Sequence, residues 1–364
     1  MTAPLQVTRA RPTGSIARVG RTKRHVHCTL GVLAAALLFE FSRRPFVAGW
    51  NEPEGDIRTV RNYIEGFSVA HFEADGLAPL GNRLTGNPPL PGAPELLILG
   101  DSHVVAEGVR DEETMGAVVE RLSRAAGCPM NVRQYGWAGG NAPAFLASAE
   151  SVLSKRNPAR VAVILNAYNV SVYALRGSKH WRMEVAADYS FRLIDLRAAP
   201  RGGWRSRVSR WAGRSALALA LWRRFGLIEH RLAHERNFAE NPTPGGSDSH
   251  LAEEAARIPR ATVLGLKQAY GTRLLIVYVP ELLGAGYYSA DPVEQKVQHL
   301  CTEQSVAFLS VRDALAQDRI KRSRVSRGFH NTAPGFGHFN GVGHRIIGEQ
   351  IWQYLDARAA HSIQ

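Results

Sequence analysis

Pro94-Glu95-Leu96-Leu97-Ile98-Leu99-Gly100-Asp101-Ser102-His103-Val104-Val105-Ala106-Glu107-Gly108-Val109 is the stretch that decides the fold. Glu95 to Gly100 is a short apolar run closed by glycine, the pattern of a strand buried on both faces of a parallel sheet. Gly100, Asp101 and Ser102 then make a tight turn into a helical stretch. In open α/β sheets that carboxyl edge is where ligands bind. A serine placed there presents its hydroxyl, and its own N–H can face a developing oxyanion. Gly-Asp-Ser is also an ordinary turn sequence, so its meaning depends on what the rest of the chain supplies.

Outward from that strand the pattern alternates. A helix is expected over roughly 112–126, with Asp111 as N-cap and Glu112 and Glu113 in its first turn. A strand at 131–135 and a helix near 142–156 follow, then a strand at 160–166. A helix over 250–270 precedes the strand Arg273 to Val279, stopped by Pro280. A helix over 292–303 feeds a strand from Val306 to Val311, and a last helix runs from about Gly341 to Ala359. About five strands separated by helices imply a parallel sheet in a three-layer α/β/α sandwich, here spanning 94–359. Residues 45–93, rich in Pro, Gly and Asn, read as an irregular lead-in.

The chain has 364 residues and a formal charge of +13, unevenly spread. Residues 1–44 hold eight Arg/Lys against one acid, Glu40, so over half of the excess lies in the tail and a nucleic-acid-binding role for the whole chain is disfavoured. Six of those cations precede the apolar run Cys28 to Phe39. That run is shorter than the roughly 20 residues of a full span. It suits a signal-peptide h-region or a short signal anchor at 28–41, with the basic tail 1–27 left in the cytoplasm. The expected location is therefore the inner membrane, single-pass, with the following domain in the periplasm, or exported after cleavage. The alternative is a core helix behind a basic tail.

An insertion at 171–249 breaks the alternation. Between Arg197 and Arg224 it carries eight arginines and no acid, with Trp204, Trp211 and Trp222 near helical spacing. It reads as a helical insertion with its basic face in solvent, or as a lid leaning on a membrane. The three cysteines show no metal-ligand spacing. No cofactor or metal is expected. Cys128 and Cys301 could pair if the domain lies outside the cytoplasm.

A nucleophilic serine needs a base and a group that orients it. Among thirteen histidines the best placed is His338, in Gly337-His338-Phe339-Asn340-Gly341 ahead of the last helix. His344 falls inside that helix and reads as structural. His103 adjoins the serine but is expected to point away from it, and His180 and His330 lie in polar loops.

Gly100-Asp101-Ser102 after a buried strand, with His338-Phe339-Asn340-Gly341-Val342-Gly343-His344 opening the last helix, resembles the SGNH/GDSL hydrolases. Gly108 to Leu122 resembles the stretch after the nucleophile in one bacterial branch of that superfamily. The resemblance covers roughly 94–170 and 250–357. It implies a flavodoxin-like α/β/α domain that cleaves or transfers O-acyl groups. Gln134 to Phe145 resembles the block whose glycine N–H lines the oxyanion hole, which assigns that role to Gly139. Asn166-Ala167-Tyr168-Asn169-Val170 stands at the third block and carries over Asn169 as an amide donor, with Asn166 as second choice. Ser102, Gly139 and Asn169 would form the oxyanion hole, and Ser102 and His338 the catalytic pair.

The departures are specific. The family acid sits two or three residues before the histidine, where this chain has Phe336 and Gly335. No Asp or Glu lies between Asp318 and Glu349. Three functions are consistent with this. The leading one is an O-acetyl hydrolase or transferase acting on acylated envelope or exported polysaccharide through a Ser-His dyad. The others are an inactive homologue that binds glycan or scaffolds a membrane assembly, and a lipase or thioesterase at the membrane surface.

Overall fold

The computed structural model describes residues 53–54, 57–62, 68–171, 181–196, 249–280, 292–329, 335 and 337–361, together with 32, 34 and 35. The chain divides into two units, residues 1–48 with 203–232, and the remainder. Nearly all described residues belong to the second. The expected signal anchor at 28–41 and the Arg/Trp stretch from 197 to 248 lie outside them, apart from the three isolated positions. Among the described residues no helix is long and apolar enough to cross a membrane.

Five parallel strands form the centre: β5 (Glu95–Gly100), β6 (Asn131–Gly136), β7 (Arg160–Leu165), β10 (Leu274–Tyr278) and β11 (Ala307–Ser310). Their spatial order is β6-β5-β7-β10-β11. β5, β7 and β10 are buried along nearly their whole length, which is why each reads as an unbroken apolar run rather than an alternation. Leu97, Leu99, Val163 and Ile276 face one hydrophobic cluster. It is covered by α3 (Ala142–Lys155), α4 (Ser249–Tyr270) and α5 (Pro292–Glu303). Leu96, Ile98, Ile164 and Val277 face the other, covered by α2 (Met115–Ala125), α6 (Arg312–Arg322) and α7 (Gly341–His361). The result is the expected three-layer α/β/α sandwich. Each fully buried Leu or Ile contributes about 1.5–3 kcal/mol of transfer free energy.

Three features differ from the sequence reading. The lead-in is not wholly irregular, because β1 (Pro53–Glu54), β2 (Ile57–Asn62), β3 (Ser68–Glu73) and β4 (Asn82–Arg83) extend the sheet to nine strands. These four are antiparallel, and β4 joins the parallel strands through Asn82 opposite Tyr135 and Arg83 opposite Gln134. In β3, Ser68, Ala70 and Phe72 are buried and alternate with more exposed residues. Surrounding Gly and Asn residues masked that period-two signal.

Within the insertion the described residues form a hairpin that the sequence reading did not anticipate, β8 (Trp181–Val185) paired antiparallel with β9 (Phe191–Asp195), while the stretch read as helical lies outside the described residues. Met183 and Val185 pack on Ile258 and Ala261 of α4. Lastly, α2 starts later than expected, with Thr114 as its cap: the hydroxyl accepts from the Ala117 N–H. Asp111 instead turns its carboxylate toward His71 and the buried Arg83. Cys128 is exposed and Cys301 buried, and both are free thiols. Burial in α5 pushes the Cys301 thiol up to about 12.

Gly100 and Gly136 are register partners at the ends of β5 and β6. The short helix α1 (Ser102–Val105) sits directly on this edge, and a Cβ on Gly136 would fall on Val105. The missing side chain lets the helix bearing Ser102 settle onto the sheet end.

Candidate active site

Ser102 is the first residue of α1, immediately past the carboxyl end of β5. As the first helical residue its N–H has no intrahelical acceptor. Asp101 caps the turn, its carboxylate accepting from the His103 N–H at 2.8 Å. The same carboxylate accepts from the Asn166 amide at 2.9 Å and the Asn169 amide at 3.2 Å. The loops after β5 and β7 are therefore locked together through one buried acid.

His338 comes from the far end of the chain. The segment before α7 is held by Asn340, whose amide donates to the Val325 and Gly328 carbonyls at 2.7 and 2.8 Å. Its carbonyl oxygen accepts the N–H groups of Val342 and Gly343 at the start of α7. The Gly328 N–H donates to the His338 carbonyl at 3.0 Å. This brings His338 Nε2 to 2.8 Å from Ser102 Oγ. That is the distance a nucleophile and its general base require.

Gly139 lies in the turn after β6 with φ of +69°, a left-handed conformation that glycine adopts without steric cost. Asn169, expected as an oxyanion donor, is arranged differently. Of its two amide protons, one meets Asp101 and the other the Gly140 carbonyl at 3.2 Å. Its side-chain oxygen accepts the Asn166 N–H, and Asn166 returns the same bond to the Asn169 N–H. Asn169 thus braces the Gly139-Gly140 turn against the Asp101 turn. Asn166 is likewise engaged on Asp101.

The sequence reading missed two neighbours. His103, expected only to point away from the serine, is buried, its ring centroid 5.3 Å from that of His338 and 4.8 Å from that of Phe339. Burial first, then the charge of Arg327, hold its pKa well below the usual histidine range. The buried Arg327 places Nη1 at 3.2 Å from His103 Nε2. An arginine only donates, so Nε2 accepts and the proton sits on Nδ1. Nothing about Arg327 in the basic run Arg319 to Arg327 marked it as different from its solvated neighbours.

His344, read as structural, is buried in α7 and accepts the Met115 N–H on Nδ1 at 3.3 Å. Burial and the nearby Arg83 lower its pKa to about 3. His180 and His330 lie outside the described residues.

A separate polar cleft of about 530 Å³ opens at the opposite edge of the sheet, lined by Glu95, Lys155, Arg156 and Arg273. Arg156 is paired with Asp75, and Arg273 donates to Asn157. It is remote from the Ser102 edge and adds nothing to the chemistry there.

Fold and site together describe an α/β/α sandwich with a Ser-His pair at the carboxyl edge of its parallel sheet. The sequence blocks that resemble the SGNH/GDSL hydrolases meet at that edge.

No family model matches the chain, and no curated protein does. Solved structures do. A two-domain esterase (CEX) active on acetylated mannans matches at TM-score 0.39 and 12% identity. The match takes in 73% of this chain and 49% of that one, so this chain matches about half of that protein. An acetyl xylan esterase matches at TM-score 0.39 and 14% identity, over 71% of this chain and 98% of its own. The lipase/acylhydrolase from Enterococcus faecalis matches at 0.38 and 12%, over 73% and 96%. Identities and scores of this size leave the functional reading to the geometry of the site.

Proposed function

We propose that the chain is a serine esterase of SGNH type acting on O-acyl esters, with acetyl groups on an envelope or exported polysaccharide as the substrate class. The observation that carries the reading is the 2.8 Å approach of His338 Nε2 to Ser102 Oγ. Ser102 Oγ attacks the acyl carbonyl as its proton passes to His338 Nε2, giving a tetrahedral oxyanion. The Ser102 and Gly139 N–H groups stabilise that charge, and losing one such donor costs about a hundred- to thousandfold in rate. Protonated His338 then returns its proton to the departing sugar oxygen, leaving Ser102 acylated. Water completes hydrolysis by the reverse sequence, and a sugar hydroxyl in its place completes transfer. Asn169 supports the hole through Gly140, and becomes a third donor on releasing Asp101.

The engagement of Asn169, with the lack of an acid between Asp318 and Glu349, favours a second reading: an inactive homologue that binds acylated glycan or scaffolds a membrane assembly. A serine-directed fluorophosphonate and a small chromogenic acetyl ester separate the two. Labelling and turnover that vanish in Ser102→Ala support the esterase, whereas neither in the native chain leaves only the binding role. A preference for long acyl chains over acetyl would point to a lipase or thioesterase.

The charge asymmetry around residues 28–41 supports placing this domain in the periplasm, tethered to the inner membrane by an N-terminus that starts in the cytoplasm. A reporter active only outside the cytoplasm, fused after residue 361, should be active. A silent fusion would overturn that placement.

A further inference from the structure

We propose that Arg327 is a positioning residue for His338, orienting the base through the peptide that precedes it; the proposal rests on the esterase reading above. Arg327 is 7% exposed, and its side chain reaches three separate segments, α1 and two loops. Nη1 donates to the Gly337 carbonyl at 3.0 Å and approaches His103 Nε2 at 3.2 Å. Nη2 donates to the Pro280 carbonyl at 3.0 Å, just past the end of β10. The guanidinium carbon stands 3.9 Å from the centroid of the Phe339 ring. Its backbone belongs to the same clamp, since Arg327 bridges Phe339 and its carbonyl accepts the Gly335 N–H at 2.9 Å.

The local chain explains why such a clamp is needed. Gly335 and Gly337 both have left-handed φ, +84° and +82°, and glycine offers little resistance to peptide rotation. The Gly337 carbonyl lies in the plane of the peptide that carries His338. Fixing that oxygen fixes the direction in which His338 leaves the backbone, and hence where Nε2 stands relative to Ser102. Phe339 on the other side of His338 is held by the same guanidinium. His103, held by Arg327 as an acceptor, packs beside the His338 ring and restricts its rotation.

In the hydrolases the motifs resemble, a carboxylate shortly before the histidine orients it, and this chain has none in that stretch. Arg327 orients the same residue from the backbone side. Lysine could not replace it, because one ammonium cannot reach across three segments in a planar fork.

The test uses the full chain with Arg327→Ala and Arg327→Lys. In the alanine variant kcat on a small acetyl ester is expected to fall about thirty- to a hundredfold, with KM within about twofold, the size a misplaced base produces. Ethylguanidine added to Arg327→Ala should restore part of the rate, and Arg327→Lys should be intermediate without responding to it. Independently of turnover, ¹⁵N-histidine spectra should show one sharp set of His338 ring signals in the native chain, assigned with His338→Gln. Those signals should broaden in both variants. Unchanged His338 signals with unchanged kcat would overturn the role. So would loss of activity in Arg327→Ala that follows lost folding while Arg327→Lys keeps native spectra and rate. A native chain that neither turns over ester nor reacts with fluorophosphonate would instead remove the esterase reading, while the spectra still decide the position of His338.

Discussion

Asp101 and Asn169, 68 positions apart in sequence, are joined side chain to side chain at 3.2 Å, and Asn169 passes the restraint on to the Gly140 carbonyl. The loops that carry Ser102 and Gly139 therefore share one buried brace. Asn169→Ala leaves Asp101 with one donor fewer and frees Gly140, so a stability loss of about 1–3 kcal/mol is expected. If Asn169 acts only through that brace, Asn169→Ala should lower kcat in step with its loss of stability, and Asn169→Asp, which sets a second carboxylate against Asp101, should lose more of both. A far larger loss on the oxyanion-forming step, with unchanged stability, would show it to be a direct donor. Chemical denaturation with acetyl-ester kinetics on the same preparations reads both.

Gly139 separates strain from chemistry. Its left-handed φ makes alanine unfavourable by roughly 1–2 kcal/mol, yet a Cβ there would meet no atom within 4 Å. Gly139→Ala should therefore fold with a modestly lower midpoint. Because alanine keeps the N–H, an activity loss well beyond that shift would show that catalysis depends on the left-handed turn that aims it.

His103 and His344 make the domain sensitive to acid. Both are buried, both are held neutral, and His344 titrates near 3 when folded. Unfolded histidines titrate near 6.5, so the unfolded chain binds more protons below that value. Stability is then complete above about pH 6.5 and falls as pH drops toward 3, by about 1.4 kcal/mol per pH unit for each histidine. Thermal unfolding between pH 7 and 4 should show that slope, and His344→Asn, which can still accept from Met115, should flatten it. A slope unchanged in the variant would remove His344 as its source.

Arg83 tests how the lead-in is joined to the sheet. It is fully buried in β4 and pairs with Asp111 while donating to the Val109 carbonyl at 2.9 Å. Removing one member of a buried pair costs about 3–5 kcal/mol. Arg83→Met should lower stability by that order, and Arg83→Met with Asp111→Asn by clearly less than the sum of the single changes. Additive losses would mean that the pair does not act as a unit.

β5, β7 and β10 were legible because they are buried on both faces, and an unbroken apolar run such as Glu95 to Gly100 allows few other readings. Ser102 and His338 were legible because each stands in a turn at an element end, where loop geometry and side-chain chemistry point the same way. β1 to β4 were not, since strands of two to six residues between glycines carry too little periodicity. The sequence showed Asn169 as an amide in the right block but not where its protons go, which depends on Asp101 and Gly140 beyond the reach of any local pattern. Arg327 was hidden in a basic run whose other members are solvated, and only the tertiary fold distinguishes it. α6 went unread because its mixed charge and short length resemble a loop.

Ser102 and His338 stand 236 positions apart, and the second is held in place by Asn340 at the opening of the last helix. A chain growing or crossing a membrane from its N-terminus exposes the serine long before it has the histidine. The pair forms only when α7 docks against α2, so its reactivity waits on that docking. Truncation before residue 338 would remove the histidine together with Ile346, Ile347 and Ile351, which cover one face of the sheet.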